Sequence, residues 1–279
     1  MTRRSFLPAA AALAGSAAFA PAQTVQRKGR LKQSATRGCF GRGMPLAEMC
    51  KQAARLGLKG LDLVGPADWP ALKEHSLVAT MTPGPSGIRD GINRVENHAK
   101  MLPGMREAIE KAAAAGYPNV IVLSGERKGL PDDQGIENCV TFFNQIKSFA
   151  EDKSVTLCME LLNSKVNHPD YQCDRTKWGV EVCKRVNSPR VKLLYDIYHM
   201  QIMEGDVIRT IRENIQWIGH FHTAGNPGRH EIDASQELNY RAIAQAIVDL
   251  GYNGYLAHEY SPVKDAIASL DEAIRICDV

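Results

Sequence analysis

The 279-residue sequence has no CxxC pair, no GxGxxG or GxxxxGK(S/T) loop, no block of like charge and few aromatic residues (6%). Each absence removes a class. Its seven cysteines are an odd number and several sit inside apolar runs, which argues for buried thiols and against a disulfide framework or a zinc site. Without a glycine loop to cradle phosphates after a strand-like run, a nucleotide-binding doubly wound sheet loses its main signature. Lysines and arginines are interleaved with acids to a formal charge of +3, so the basic stripe of a nucleic-acid surface is missing. The apolar run near the N-terminus, residues 5–20, is 16 weakly apolar residues. A bilayer span needs roughly 20. What remains is ordinary globular composition, 44% hydrophobic and 23% charged, in a length that suits one large domain acting on a small molecule.

That N-terminal run has a different expected role. Arg3 and Arg4 precede an Ala/Leu-rich stretch that ends in Ala18-Phe19-Ala20, the pattern of a twin-arginine export signal over residues 1–22. A polar linker, 23–30, would follow, and then a domain from 31 to 279. Cleavage removes Arg3 and Arg4 and no acids, so the mature charge is +3 − 2 = +1. The expected destination is the periplasm or beyond, with no stable membrane span after cleavage. Twin-arginine export carries folded proteins, which agrees with a metal or cofactor acquired beforehand.

From residue 31 onward, strand-like and helix-like segments alternate. Strands are expected at 31–36, 59–64, 77–81, 118–123, 155–161, 191–196, 216–222 and 254–259. Helical spacing covers 46–56, 95–115, 136–150, 175–186, 207–214, 240–250 and 263–276. Glycines mark the return turns in LGLKG, AAGYPN and LGYNGY, where a helix would end in a left-handed residue. Alternation of this kind gives parallel βα units, and eight of them predict an α/β protein with a single (β/α)8 TIM barrel.

Four apolar runs in the second half each end on a residue able to bind a divalent metal: Glu160 in VTLCMELL, Asp196 in VKLLYDIYHM, His222 in IQWIGHFHTA and Glu259 in YLAHEYSP. Their separations of 36, 26 and 37 residues are each close to one βα unit. They therefore fall on four consecutive strand ends, which a barrel brings to one mouth. A lone charged residue at a strand end is usually solvated or ion-paired. Four in register are harder to dismiss, because a carboxylate among aliphatic neighbours is costly to bury without a partner, and a shared cation removes that cost. Two glutamates, one aspartate and one histidine form an oxygen-rich set suited to one Mg²⁺, Mn²⁺ or Co²⁺ more than to structural zinc.

The segments MELLNSKVNHPDY, LLYDIYHMQIMEGD, HFHTAGNPGRHE, ELNY and HEYSP resemble the motifs of the hydroxypyruvate isomerase family, within the xylose isomerase-like (sugar phosphate isomerase/epimerase) barrels. The resemblance runs from about residue 31 to the end. It implies a metal-dependent isomerase that interconverts hydroxypyruvate and tartronate semialdehyde or a related α-hydroxycarbonyl pair. It places Glu160, Asp196, His222 and Glu259 on the family's metal-ligand positions. At the position of His222 hydroxypyruvate isomerases often carry glutamine, whereas ketose 3-epimerases of the same superfamily usually carry histidine. A sugar epimerase is accordingly the alternative enzyme.

Isomerisation through an enediolate moves a proton between adjacent carbons, so it needs a group that removes and returns the proton and a cation to hold the two oxygens. Glu259 is the expected principal base and Glu160 its partner. His199, three residues after Asp196, would by resemblance to the epimerases donate to a substrate carbonyl or hydroxyl; a capping or core histidine is the plainer alternative. Arg229 in NPGRHE suits a substrate carboxylate through its planar fork, against a surface arginine in a Gly/Pro loop. Alternation turns His220 the same way as His222, and His258 away from Glu259. Asn163 is placed to orient the neighbouring ligands. His168 and His230 are loop candidates of lower weight, and Trp69, Trp178, Trp217 and Phe40 suit the core more than a pocket wall. A nuclease resembling endonuclease IV would want more histidine ligands and a basic face; a non-catalytic periplasmic barrel for a sugar acid would not need both glutamates. The expected partner is thus a small hydroxycarbonyl or sugar-acid molecule and no nucleic acid, with a homo-oligomer left open.

Overall fold

Every expected strand is present in the computed structural model, which describes residues 26–279. They are β1 (Lys32–Thr36), β2 (Gly60–Asp62), β3 (Val78–Ala79), β4 (Asn119–Val122), β5 (Thr156–Glu160), β6 (Val191–Asp196), β7 (Ile218–Thr223) and β8 (Tyr255–His258). All pair in parallel, in the order β3-β2-β1-β8-β7-β6-β5-β4. The remaining seam closes through Thr82, just past β3. Its N–H donates to the Asn119 carbonyl (2.9 Å) and its own carbonyl accepts from Ile121 N–H (3.0 Å). The sheet therefore shuts on itself as the expected (β/α)8 barrel.

The helices are α1 (Leu46–Leu56), α2 (Trp69–Glu74), α3 (Val95–Ala115), α4 (Asp132–Asn144), α5 (Lys147–Asp152), α6 (Thr176–Val186), α7 (Ile197–Met203), α8 (Val207–Asn214), α9 (Tyr240–Asp249) and α10 (Ala266–Cys277). The helix expected at 136–150 is two. α4 begins earlier, just after Pro131, with Asp132 and Asp133 in its first turn where the helix dipole favours acids, and the chain breaks before α5. α2 and α7 were not anticipated, because six or seven residues give too few turns for a helical period to show. The export signal at 1–22 lies outside the described residues. Of the stretch expected as a linker, Arg27 pairs with Asp271 of α10 (2.5 Å), and the Lys28 and Gly29 amides donate to the Asp278 carboxylate (2.9 and 3.0 Å). Among the described residues no helix is long and apolar enough to cross a membrane.

Alternation along the strands sends every second side chain inward. One side of the barrel interior is apolar, where Met81, Ile121, Cys158 and Leu194 pack with Leu63 and Leu123, apart from the large core between strands and helices. The opposite side is polar, built from Ser34, Asp62, Thr80, His220 and His222. A register shift between β6 and β7 at Leu193/Leu194 skips Gly219, after which Leu194 lies beside His220 and Asp196 beside His222. Both inward-facing rows of β6 and β7 thereby stay in step up to the mouth.

Candidate metal and catalytic site

The four strand-end residues converge. Glu160 is the last residue of β5, Asp196 the last of β6, His222 the penultimate residue of β7, and Glu259 directly follows β8, its amide extending the ladder to the Thr223 carbonyl (2.9 Å). Each offers one ligand atom, and the four atoms lie within 4.8 Å of one another. His222 Nδ1 is the hub, 2.7 Å from Glu259 Oε2, 3.4 Å from Glu160 Oε1 and 4.0 Å from Asp196 Oδ2. Although fully buried, Nδ1 makes no aligned hydrogen bond. Burial opposes a charged His222, yet Glu259, Asp62 and Glu160 outweigh it and raise the imidazole well above its ordinary range. Burial likewise pushes Glu160 up to about 7. Glu259 is the reverse case, since the charges of His222 and Arg229 overcome its burial and hold it low. These groups call for positive charge among them. Three carboxylate oxygens and one imidazole nitrogen at this spacing fit a hard divalent cation.

The other ring nitrogen shows how His222 is aimed. His222 Nε2 lies 3.1 Å from Asp62 Oδ1, His220 Nε2 is 2.9 Å from Asp62 Oδ2, and the Thr80 hydroxyl donates to that same oxygen at 2.6 Å. Asp62 is completely buried, but the two imidazoles outweigh that burial and keep it ionised. A carboxylate behind a histidine fixes ring orientation and strengthens the opposite nitrogen as a donor to a cation. Asp62 was not among the sequence candidates: it falls inside the strand-like run KGLDLV, and only the observed strand β2 ends on it. His220 shares the inward face with His222, as alternation required. His258 turns outward to Thr223 (2.8 Å) and Gln33 (3.0 Å).

β6 hands over to α7 through Asp196. Its Oδ1 caps the helix by accepting the His199 N–H (3.2 Å), which leaves Oδ2 toward the cluster and brings the His199 ring into the first helical turn, Nε2 3.6 Å from Oδ2. Arg229 is no surface residue. Its guanidinium reaches Glu259 Oε2 (2.8 Å) and Asp196 Oδ2 (3.4 Å) and lies 5.6 Å over the Tyr198 ring. The loop that carries it is tightly folded. A Cβ at Gly225 would meet the Glu231 carbonyl oxygen at 2.0 Å, and Arg229 takes a left-handed φ of 57°, held by backbone bonds from its N–H to Gly225 O (2.9 Å) and from Ser261 N–H to its carbonyl (3.0 Å). An arginine kept in that region is a local cost of order 1–3 kcal/mol that concentrates at functional sites.

Glu259, Arg229, Asp62, Thr36, Arg37 and Tyr260 are among the residues lining a cavity of about 360 Å³ at this mouth. Among the lesser candidates, His168 stacks edge-on against His199, with centroids 5.2 Å apart, whereas His230 is turned to the Ser261 carbonyl. Trp69 packs on Tyr117, Trp178 donates to the Asp132 carbonyl and Trp217 lies under Lys192, so none of the three is placed at the site. All seven cysteines are free and buried.

A family model described as "Xylose isomerase-like TIM barrel" matches residues 50–277. The 2-oxo-tetronate isomerase of Cupriavidus necator is 32% identical over 226 residues, which cover 78% of this chain and 79% of that protein. A human protein provisionally named a hydroxypyruvate isomerase is 27% identical over 237 residues, 79% of this chain and 85% of its own. Among solved structures, one described as an AP endonuclease of family 2 from Brucella melitensis has a TM-score of 0.79 at 27% identity, over 86% of this chain and 96% of that chain. The 3-keto-D-glucoside 4-epimerase of E. coli has a TM-score of 0.74 at 19% identity, over 88% and 100%, and speaks to the fold alone. The chain belongs to the xylose isomerase-like TIM barrel family.

Proposed function

We propose that the protein is a divalent-metal-dependent isomerase of small α-hydroxycarbonyl acids, interconverting hydroxypyruvate and tartronate semialdehyde or a close 2-oxo acid homologue. The observation that carries this reading is the pair of glutamates set on one buried nitrogen, Glu259 Oε2 at 2.7 Å and Glu160 Oε1 at 3.4 Å from His222 Nδ1, beside an open cavity. A pure binding barrel needs hydrogen-bonding groups there, but not two opposed carboxylates. Relatives named isomerases of 2-oxo-tetronate and hydroxypyruvate support the substrate class.

Glu160, Asp196, His222 and Glu259 would hold the cation, which when bound polarises the substrate's two adjacent oxygens and lowers the cost of an enediolate. The rest falls to the side chains. Glu259 lines the cavity and its side chain is 23% exposed, so it is placed to take a proton from the substrate carbon; Glu160, deeper at 9%, is its partner across the arc. Arg229 is set to pair with the substrate carboxylate. His222 in place of glutamine favours ketose epimerisation as the second reading. The nuclease chemistry in the name of the Brucella relative finds less support, since the four-residue group contains a single histidine.

Chelation should abolish turnover and Mg²⁺ or Mn²⁺ restore it; full activity in metal-free protein would sink the mechanism. A panel of hydroxypyruvate, four-carbon 2-oxo acids and free ketoses decides the substrate, and turnover confined to ketoses would transfer the assignment to an epimerase. The export signal read at residues 1–22 makes this an extracytoplasmic reaction, to be checked by fractionating cells carrying Arg3→Lys and Arg4→Lys.

A further inference from the structure

We propose that Asn163 is a positioning residue that locks His199 as a permanent hydrogen-bond donor toward the substrate oxygen on which negative charge develops. The inference rests on the proposed isomerase reading for its chemistry, and on the hydrogen bonds of one amide for its geometry.

Asn163 is fully buried at the start of the loop that follows β5. Its Oδ1 accepts two backbone N–H groups, from Val166 (3.0 Å) and Asn167 (2.9 Å). An amide NH2 could accept neither, so these two bonds identify which atom is the oxygen. The Nδ2 group then has two hydrogens and two acceptors, Asn167 Oδ1 at 2.7 Å and His199 Nδ1 at 2.6 Å. A ring nitrogen that accepts carries no proton, and the proton of the neutral imidazole must sit on Nε2. A doubly protonated ring would set N–H against N–H at 2.6 Å.

The consequence points into the site. His199 Nε2 is buried, has no hydrogen-bond partner and lies 3.6 Å from Asp196 Oδ2, on the side of the carboxylate cluster. A buried donor left unpaired is costly, and a substrate oxygen arriving there removes that cost. His199 is thereby excluded from moving the reaction's proton, because Nδ1 is occupied and Nε2 already carries one. Glu259 and Glu160 shuttle the proton while His199 steadies the oxyanion. Because the same Asn163 oxygen caps residues 166 and 167, the fold of that loop and the tautomer of His199 are set together.

The test uses the full chain loaded with Mg²⁺ and ¹⁵N-labelled at histidine, with His199 assigned by the signals lost in His199→Gln. Wild type should show an unprotonated Nδ1 and a protonated Nε2. Asn163→Asp retains both loop caps on one oxygen and presents the other to the ring, while the Asn167 amide can turn its NH2 toward the new carboxylate. The proton should then move to Nδ1. Turnover number should fall about 10²-fold, as for loss of one oxyanion donor, with KM little changed. In a His199→Gln background, where no tautomer exists, Asn163→Asp should cost almost nothing further. A wild-type His199 protonated at Nδ1 would overturn the proposal, as would an equal loss of turnover in both backgrounds. If wild type isomerises no hydroxycarbonyl acid, the functional reading fails, while the nitrogen shifts still decide the tautomer.

Discussion

The two sides of the barrel interior differ in what they contribute. Met81, Ile121, Cys158 and Leu194 fill one side with apolar volume, sealing the barrel below the mouth. Across from them Ser34, Thr80 and Asp62 form a chain of hydrogen bonds that ends on His222 Nε2, with His220 Nε2 2.9 Å from the same carboxylate. Both sides are buried, so burial alone does not tell a structural interior from a functional one. What separates them is directionality. An apolar cluster stabilises whichever way its members are nudged, whereas Asp62 holds one ring in one orientation and so determines which nitrogen His222 presents to Glu160, Asp196 and Glu259.

The largest expected effect lies where the polar side reaches the mouth. Glu259→Gln removes the proposed base from a side chain still 23% exposed, so the fold should persist while kcat falls by about 10²–10⁴-fold in steady-state assays. An unchanged kcat would take Glu259 out of that role. On the apolar side, Ile121→Ala should destabilise by about 2–5 kcal/mol through lost contacts and residual cavity. Thermal unfolding would register this as roughly 2–4 °C per kcal/mol in a chain of this size. Mn²⁺ affinity should stay within about twofold, because distant sites add independently. A tenfold weaker metal site in Ile121→Ala would erase the distinction between the two sides.

Asp62→Asn tests the polar side directly. The amide can still accept from one imidazole, but its NH2 faces the other, and the negative charge that holds both rings is gone. Metal affinity measured by calorimetric titration should weaken about 10–100-fold, the range for removing the group behind a ligating histidine. Unaltered affinity would reduce the polar chain to a stability feature.

Much of this was legible in the sequence, for a physical reason. A charged residue closing an apolar run has to be accounted for, and Glu160, Asp196, His222 and Glu259 did so at βα spacing, which was enough to place all four at one mouth. Asp62 sits inside its run KGLDLV with two apolar residues after it, and its partner lies 160 residues away across the barrel, so no local spacing reveals that pairing. His199 was legible as a residue and not as a tautomer, since its protonation pattern depends on which way a loop amide is turned. Arg229 could be read as a carboxylate binder or as a surface cation. Only the close return of the chain at Gly225, fixed by contacts with Glu231, brings it onto Glu259 and Asp196.

The smallest expected effect discriminates most finely within the polar side. Thr80 donates to Asp62 Oδ2 at 2.6 Å and its hydroxyl lies 2.9 Å from that of Ser34, so Thr80→Val removes one hydrogen-bond donor to the carboxylate without touching either imidazole. Loss of a hydrogen bond to a charged group is worth about 1.5–3 kcal/mol, and the valine methyl refills the volume, which returns part of that. The net should be near 1 kcal/mol, a fall in Tm of about 2–4 °C. His222 Nε2 bonds the other oxygen, Oδ1, and keeps that bond. Metal affinity should therefore change by no more than about twofold if the contacts of Asp62 act independently. A tenfold loss in Thr80→Val, comparable to that in Asp62→Asn, would mean instead that the carboxylate pivots once Oδ2 is released, and that orientation at the mouth is set by the whole chain of bonds back to Ser34.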